Sequence, residues 1–251
     1  MLPKLDVHTT PDAHVASTRP GHWQLHIPGG PGRRYHLTQL DDYDGLPRSR
    51  FRWQPPLCLE LRARVSDAAL PGTWGFGLWN DPFTASLGLK GTARRFPALP
   101  EAAWFFYASP PNYLAVHDAH PAQGFLAATF ASRSIRPWLL ATGVPVLPLL
   151  AWPVTARLLR RLARHFVAED AAQLTVDPTQ WHDYRLEWRA DAARFAMDGE
   201  TCFTTTITPR GPLGLVLWID NQYAAFPPDG RLRFGTLPNE PAWLELADMN
   251  I

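Results

Sequence analysis

Residues 181–223 read WHDYRLEWRADAARFAMDGETCFTTTITPRGPLGLVLWIDNQY, and their alternation decides the fold. His182, Tyr184, Leu186 and Trp188 alternate with Trp181, Asp183, Arg185 and Glu187, the period-two pattern of a strand with one buried and one wet face. Residues 189–192 supply a polar turn and 193–197 a second strand. Asp198-Gly199 follows, a dipeptide that readily takes the positive φ values of a hairpin turn. A third strand runs through Cys202 and Phe203. Beyond the Gly211-Pro212 break, Leu215, Leu217 and Ile219 alternate with Val216 and Trp218, so this strand is apolar on both faces. It ends in Asp220, Asn221, Gln222 and Tyr223. Polar groups arriving together at a strand end make Asp220, Asn221 and Tyr223 candidate ligand-binding residues.

Outward from this stretch the alternation recurs. Trp23, Leu25 and Ile27 alternate with polar neighbours before a Pro28-Gly29-Gly30-Pro31-Gly32 break, and Leu57, Leu59, Leu61, Ala63 and Val65 alternate with Cys58, Glu60, Arg62 and Arg64. Residues 72–83, 124–130, 231–234 and 243–249 read as further strands, the last returning to pair near the first. Residues 1–20 are polar and proline-punctuated, and predict a segment that drapes over the domain or stays loose. The chain holds 26 prolines, which cannot donate to a ladder, so short strands and many loops are expected. A length of 251 residues suits one large all-β domain, 1–251.

Lys+Arg total 24 against 23 Asp+Glu, so no global field favours nucleic acid or an acidic partner. Cys58 and Cys202 both fall inside predicted strands, where a thiol serves as a small hydrophobe. The first residues, MLPKLDVHTTPDAH, show neither the basic region nor the apolar stretch of a signal peptide, and the cytoplasm is the expected compartment. Asp41, Asp42 and Asp44 lie close enough in sequence to chelate calcium, but their spacing matches no EF-hand loop and a solvated acidic turn is the expectation. His117 and His120 lack a third, distant ligand for zinc and predict an exposed loop. No cofactor is called for.

The W-H-x-Y-x-x-x-W, D-G and G-P elements of 181–212 resemble those of the concanavalin A-like lectin and glucanase superfamily, and within it glycoside hydrolase family 16. The likeness covers roughly residues 53–234. It implies an antiparallel β-sandwich of jelly-roll form, with an aromatic face that meets carbohydrate. Glu60 and Arg62 sit in a strand similar to the family's E-x-R strand, and GTWGFGLWNDPF at 72–83 is similar to its G-x-W-P-A-x-W run. Trp74, Trp79, Trp104 and Phe106 are then candidate stacking platforms, because the C–H faces of a sugar pack on flat aromatic rings.

Retaining family 16 hydrolases need two carboxylates about 5 Å apart, carried on an E-x-D-x-E or E-x-D-x-x-E strand. The matching stretch is Glu101-Ala102-Ala103-Trp104-Phe105-Phe106-Tyr107. Glu101 falls on the first glutamate and is the candidate catalytic residue, expected on the ligand face. The aspartate position is Ala103, and the acid/base position is Phe105 or Phe106. With the pair missing, double displacement is not supported.

Residues 137–156, PWLLATGVPVLPLLAWPVTA, carry no charge and precede RLLRRLARHFVAED. Pro145, Pro148 and Pro153 oppose one continuous spanning helix. The later part is amphipathic, with Leu158, Leu159, Leu162 and Phe166 on one side and Arg157, Arg160, Arg161 and Arg164 on the other. A helical insertion is expected over about 133–172, its apolar side (Trp138, Trp152, Leu158, Leu162) packed across the sandwich as a lid and its arginines in water. The alternatives are contact with a membrane surface through 137–166 and an oligomer interface; the oligomeric state stays open. The expected function is a family 16-like protein that binds or processes a carbohydrate in a concave aromatic cleft. Alternatively the chain is an enzyme or binder for an apolar small molecule under the lid, or a membrane-peripheral structural protein.

Overall fold

Strands with one apolar and one polar face are stable only when two such sheets close on each other, and a computed structural model of the protein shows this arrangement. It describes residues 3–82, 98–133 and 152–251. In chain order the strands are β1 (Asp6–Thr9), β2 (His14–Arg19), β3 (His22–Ile27), β4 (Leu37–Asp41), β5 (Leu57–Val65), β6 (Thr73–Trp79), β7 (Ala102–Ala108) and β8 (Gly124–Ser132). A helix, α1 (Pro153–Phe166), comes next. It is followed by β9 (Val167–Gln173), β10 (His182–Trp188), β11 (Ala193–Met197), β12 (Glu200–Thr205), β13 (Gly214–Asp220), β14 (Gln222–Ala225), β15 (Arg233–Thr236) and β16 (Ala242–Asn250).

Sheet I has the order β1-β4-β13-β6-β7-β8-β9 and sheet II the order β12-β11-β10-β5-β16-β3-β2, each seven-stranded; their neighbours pair antiparallel. The predicted alternation is kept in β10, where Tyr184, Leu186 and Trp188 are buried and Asp183 and Arg185 exposed. Asp198 and Gly199 take φ values of 51° and 83°, the left-handed turn expected between β11 and β12. β13 is buried on both faces, and β16 returns to pair with β3. The core lies between the sheets, built from residues such as Leu59, Leu61, Phe76, Phe105, Trp188, Phe195 and Leu217. Trp188 is fully buried and its indole donates to Pro209 O at 3.0 Å. Cys58 and Cys202 are free thiols.

Three expectations are corrected here. Within the segment expected to drape or stay loose, residues 6–19 are instead ordered into sheet edges: β1 adds an edge to sheet I and β2 an edge to sheet II. They are joined by a turn in which Asp12 takes φ 68°. Edge strands face water on much of their surface, so a polar sequence satisfies them. Residues 167–172, expected inside the insertion, belong to β9, which pairs with β8, so α1 ends at Phe166.

The third correction is the orientation of α1. Arg160 is only 3% exposed, donating to Phe226 O at 2.5 Å and to Asp118 Oδ1 at 2.7 Å. Arg164 pairs with the other Asp118 oxygen and donates to Val116 O at 3.0 Å. The lid candidates Trp152, Leu158 and Leu162 are instead 60%, 64% and 53% exposed. A charged side chain with buried, charge-assisted partners outweighs the burial of a leucine, and Asp118 supplies that partner from the 113–123 loop. Trp138 lies outside the described residues.

Candidate functional site

Residues that alternate away from the core of sheet I form a second apolar cluster on its outer face. Antiparallel register places Trp218 of β13 opposite Gly75 of β6, and Gly75 opposite Phe106 of β7. Val216, Gly77 and Trp104 make the next row, and Trp79 the one after. The two glycines leave room for indoles. A Cβ at Gly75 would lie 2.7 Å from Trp218 Cη2, and one at Gly77 would lie 2.5 Å from Trp104 Cβ. The rings therefore lean over β6 and meet. Trp218 lies 5.8 Å from Phe106 and 5.6 Å from Trp104, and nearly parallel to Trp79 at 6.4 Å and 8°. Phe130 of β8 closes the platform edge-on to Trp104 at 6.1 Å. Trp79, Trp104 and Phe130 are partly exposed and Phe106 and Trp218 are buried beneath them; Trp104 Nε1 is itself buried, with no hydrogen-bond partner among the described residues.

Each end of the platform carries a hydrogen-bonded polar group. At one end Asp220 Oδ1 accepts from Thr73 Oγ1 at 2.8 Å and from the backbone N–H groups of Thr73 and Gln222, both at 3.2 Å. Its Oδ2 faces the Tyr35 hydroxyl at 3.4 Å, and Trp218 Nε1 donates to Thr73 Oγ1 at 2.9 Å. Burial pushes the Asp220 carboxyl up to about 7 against the hydrogen bonds that favour its charged form. Burial also raises the Tyr35 phenol, with Asp220 adding to the shift.

At the other end Trp79 Nε1 donates to the Tyr43 hydroxyl at 2.7 Å, and Gln39 Nε2 donates to Asp41 Oδ2 at 2.8 Å. His8 Nε2 stands 3.0 Å from the same Asp41 oxygen. Its pKa is raised, chiefly by the neighbouring Asp41, with burial opposing.

Asp220 pairs with Leu37, and Asp41, four residues further along β4, pairs with Val216. At about 3.3 Å per residue the two carboxylates are roughly 13 Å apart. Retaining glycosidases need about 5–5.5 Å and inverting ones about 6.5–9.5 Å, so this pair serves neither mechanism. Glu169 also has outward register, opposite Phe130, but its oxygens accept the N–H groups of Val116, at 2.8 Å, and His117.

Glu101, the catalytic candidate, is displaced from this face. It precedes β7 by one residue and shares the parity of Ala103 and Phe105, which turn into the core. Its oxygens accept Ser132 N at 3.1 Å and Arg210 N at 2.8 Å, and burial raises its pKa. It ties β8 to the loop before β13. Trp74 is likewise a core residue, 1% exposed and stacked on Tyr107.

Asn221 is buried and structural, accepting from His36 N at 2.9 Å and donating to Arg34 O and Leu237 O, each at 2.9 Å. Tyr223 lies on β14 with its ring over Gly235. The structure thus brings Trp79, Trp104, Phe106 and Asp220 to one face, and adds Trp218, Phe130, Thr73, Gln39 and Asp41. The alternation of Gly75 and Gly77 with Trp79 was the sequence signal for this outward row.

The expectation of a solvated acidic turn is corrected, since Asp41 and Asp42 are both buried. Asp42 accepts from Trp53 Nε1 at 2.6 Å and Leu215 N at 2.8 Å, while Asp41 is taken up by Gln39, His8 and the N–H of Tyr43. Their lone pairs anchor loop to sheet and do not converge on a common point. Among the described residues no group of three or more His, Cys, Asp or Glu side chains is placed to hold a metal ion. The outer face of sheet II bears an open depression of about 500 Å³ lined by residues including Glu60, Arg62, Asp183 and Arg185. Its charges are paired in water, Arg185 with Glu60 at 2.7 Å and Arg62 with Asp183 at 3.3 Å.

A scan of the sequence against models of known protein families gives no match, and a comparison with curated protein sequences gives none. Among solved structures, the chain is similar to the endo-β-1,4-glucuronan lyase of the fungus Trichoderma reesei, at 11% identity and a TM-score of 0.50 over 96% of this chain and 89% of that one. A β-glucanase of Bacillus licheniformis matches at 9% identity and 0.47, over 94% and 80%. A legume lectin-like domain from Entamoeba histolytica matches at 8% and 0.46, over 98% and 88%. The two stacked antiparallel sheets and the likeness to the lyase structure agree on the fold, a concanavalin A-like antiparallel β-sandwich.

Proposed function

We propose that the outer face of sheet I binds a neutral glycan and does not hydrolyse it. The observation that carries this reading is the platform of Trp79, Trp104, Phe106, Trp218 and Phe130, with hydrogen-bonding groups at both ends and its carboxylates too far apart for glycoside cleavage. Aromatic faces take up the C–H surface of a pyranose, and flanking polar groups fix its hydroxyls.

The choice of a neutral ligand rests on charge. The seven strands of sheet I contain no Lys or Arg, whereas a carboxylated glycan calls for cations to offset its charge. The similar proteins named above as a glucanase, a lyase and a lectin-like domain are in keeping with a carbohydrate ligand.

The test is calorimetric titration with neutral β-glucan oligosaccharides and, in parallel, with oligoglucuronates. Binding of the neutral set, weakened at least about tenfold by Trp104→Ala with the fold retained, supports the reading; base–aromatic stacking in other systems contributes about 1–3 kcal/mol per ring. Equal affinity of the Trp104→Ala variant, or a preference for oligoglucuronates, overturns it. Release of reducing ends on prolonged incubation, abolished by Asp220→Asn or Asp41→Asn, overturns the non-hydrolytic part.

A further inference from the structure

From the orientation of α1 we infer that this helix and the neighbouring β15 segment form a docking surface for an anionic lipid bilayer, separate from the aromatic platform. Asp118 draws Arg160 and Arg164 against the body of the protein, and Ala156 is buried beside them. The opposite side of the helix therefore faces outward. It carries Val154, Leu158 and Leu162, spaced four residues apart and so in one stripe, with Trp152 at its start. Arg157, Arg161 and His165, all exposed, border that stripe.

A second segment joins it. The turn after β14 packs on the helix at Gly230, where an added Cβ would lie 2.3 Å from Pro153 O and 2.8 Å from Arg157 Cγ. From this contact the chain runs through Arg231, Leu232, Arg233 and Phe234, all exposed. Val7 aside, the exposed large apolar side chains of the described residues all belong to these two segments.

The charge around this surface selects its occupant. Four arginines, Arg157, Arg161, Arg231 and Arg233, stand among the apolar groups, with Asp229 the acidic residue of 226–236 and none within α1. The whole chain has a net charge of +1, so the concentration is local. A two-fold contact with a second copy would set these arginines against their own counterparts. A bilayer bearing anionic headgroups supplies counter-charge at the level of the guanidinium groups and hydrocarbon just beneath, where an interfacial helix rests its apolar side about 5–10 Å deep. No described helix is long and apolar enough to cross a membrane, and a surface contact needs none.

The experiment is co-sedimentation of the full chain with vesicles of phosphatidylcholine alone and of phosphatidylcholine mixed with phosphatidylserine. Binding to the mixed vesicles, reduced by added salt and weak on phosphatidylcholine, is expected. Leu158→Glu with Leu162→Glu should abolish it, and Arg157→Glu with Arg161→Glu should lower the partition coefficient by at least about 30-fold, each arginine near an anionic surface contributing about fivefold. All four side chains are largely in water, so the variants should fold, which circular dichroism checks; Phe234→Glu perturbs the second segment independently. Absence of vesicle binding, or binding untouched by these variants, overturns the inference. So does concentration-dependent dimerisation without lipid that Leu158→Glu removes, since it gives the face to a second copy. Glycan titration of the same variants should be unchanged, which separates this surface from the platform.

Discussion

Replacing Asp220 by Asn should remove a pH dependence that the wild-type fold carries. Asp220 is 7% exposed, and burial raises its carboxyl from 3.8 to about 7. A raised acid binds its proton more tightly when folded, so below about 7 the folded state holds more protons than the unfolded one, and stability falls as pH rises between 3.8 and about 7. Between about pH 5 and pH 8 this group alone should lower the unfolding free energy by roughly 2.5 kcal/mol, since each pKa unit corresponds to about 1.36 kcal/mol.

Asparagine fits the same site. Its Oδ1 can keep the donors Thr73 N, Thr73 Oγ1 and Gln222 N, while its amide N–H points where a protonated Oδ2 would donate toward Tyr35. His8, whose pKa is also raised, loses stability as pH rises in the same direction. The readout is therefore the difference between wild type and Asp220→Asn, from urea denaturation at both pH values. A difference that is constant from about pH 5 to pH 8 would refute the assignment.

Two further outcomes follow from the same geometry. Gly75→Val places methyl groups where Trp218 and the Phe105 carbonyl already sit, so it should cost about 1–3 kcal/mol and displace the indole, seen as a change in tryptophan fluorescence together with weakened glycan binding. Glu101→Ala leaves Ser132 N and Arg210 N without their acceptor and should cost about 1–3 kcal/mol of stability by denaturant midpoint, while glycan affinity stays within about twofold.

The sandwich was legible where one face is apolar and the other polar. β5 and β10 show their parity residue by residue, and Asp198-Gly199 announces its turn. Legibility failed for β7, where Ala102-Ala103-Trp104-Phe105-Phe106-Tyr107 is apolar on both faces and no alternation says which set looks outward; the one-residue offset moved Glu101 off the platform. It failed for Asn221 because a strand-end amide reads alike whether it meets ligand or backbone. It failed for α1 in a different way. The helical wheel separates leucines from arginines but cannot say which side meets the protein, because that depends on Asp118, more than thirty residues earlier in the sequence. Strands β1 and β2 escaped notice because an edge strand can be as polar as a loop.

Those two edge strands have a consequence for handling the protein. Because β1 closes one rim of sheet I and β2 one rim of sheet II, residues 6–19 act as a clasp over both layers at once. A shortened chain starting after Arg19 would leave the ladder edges of β4 and β3 open side by side, two templates for strand exchange between molecules. It would also lose His8 from Asp41. A tag joined at residue 20 therefore invites fibrils or swapped dimers, whereas one placed ahead of residue 1 leaves the clasp shut.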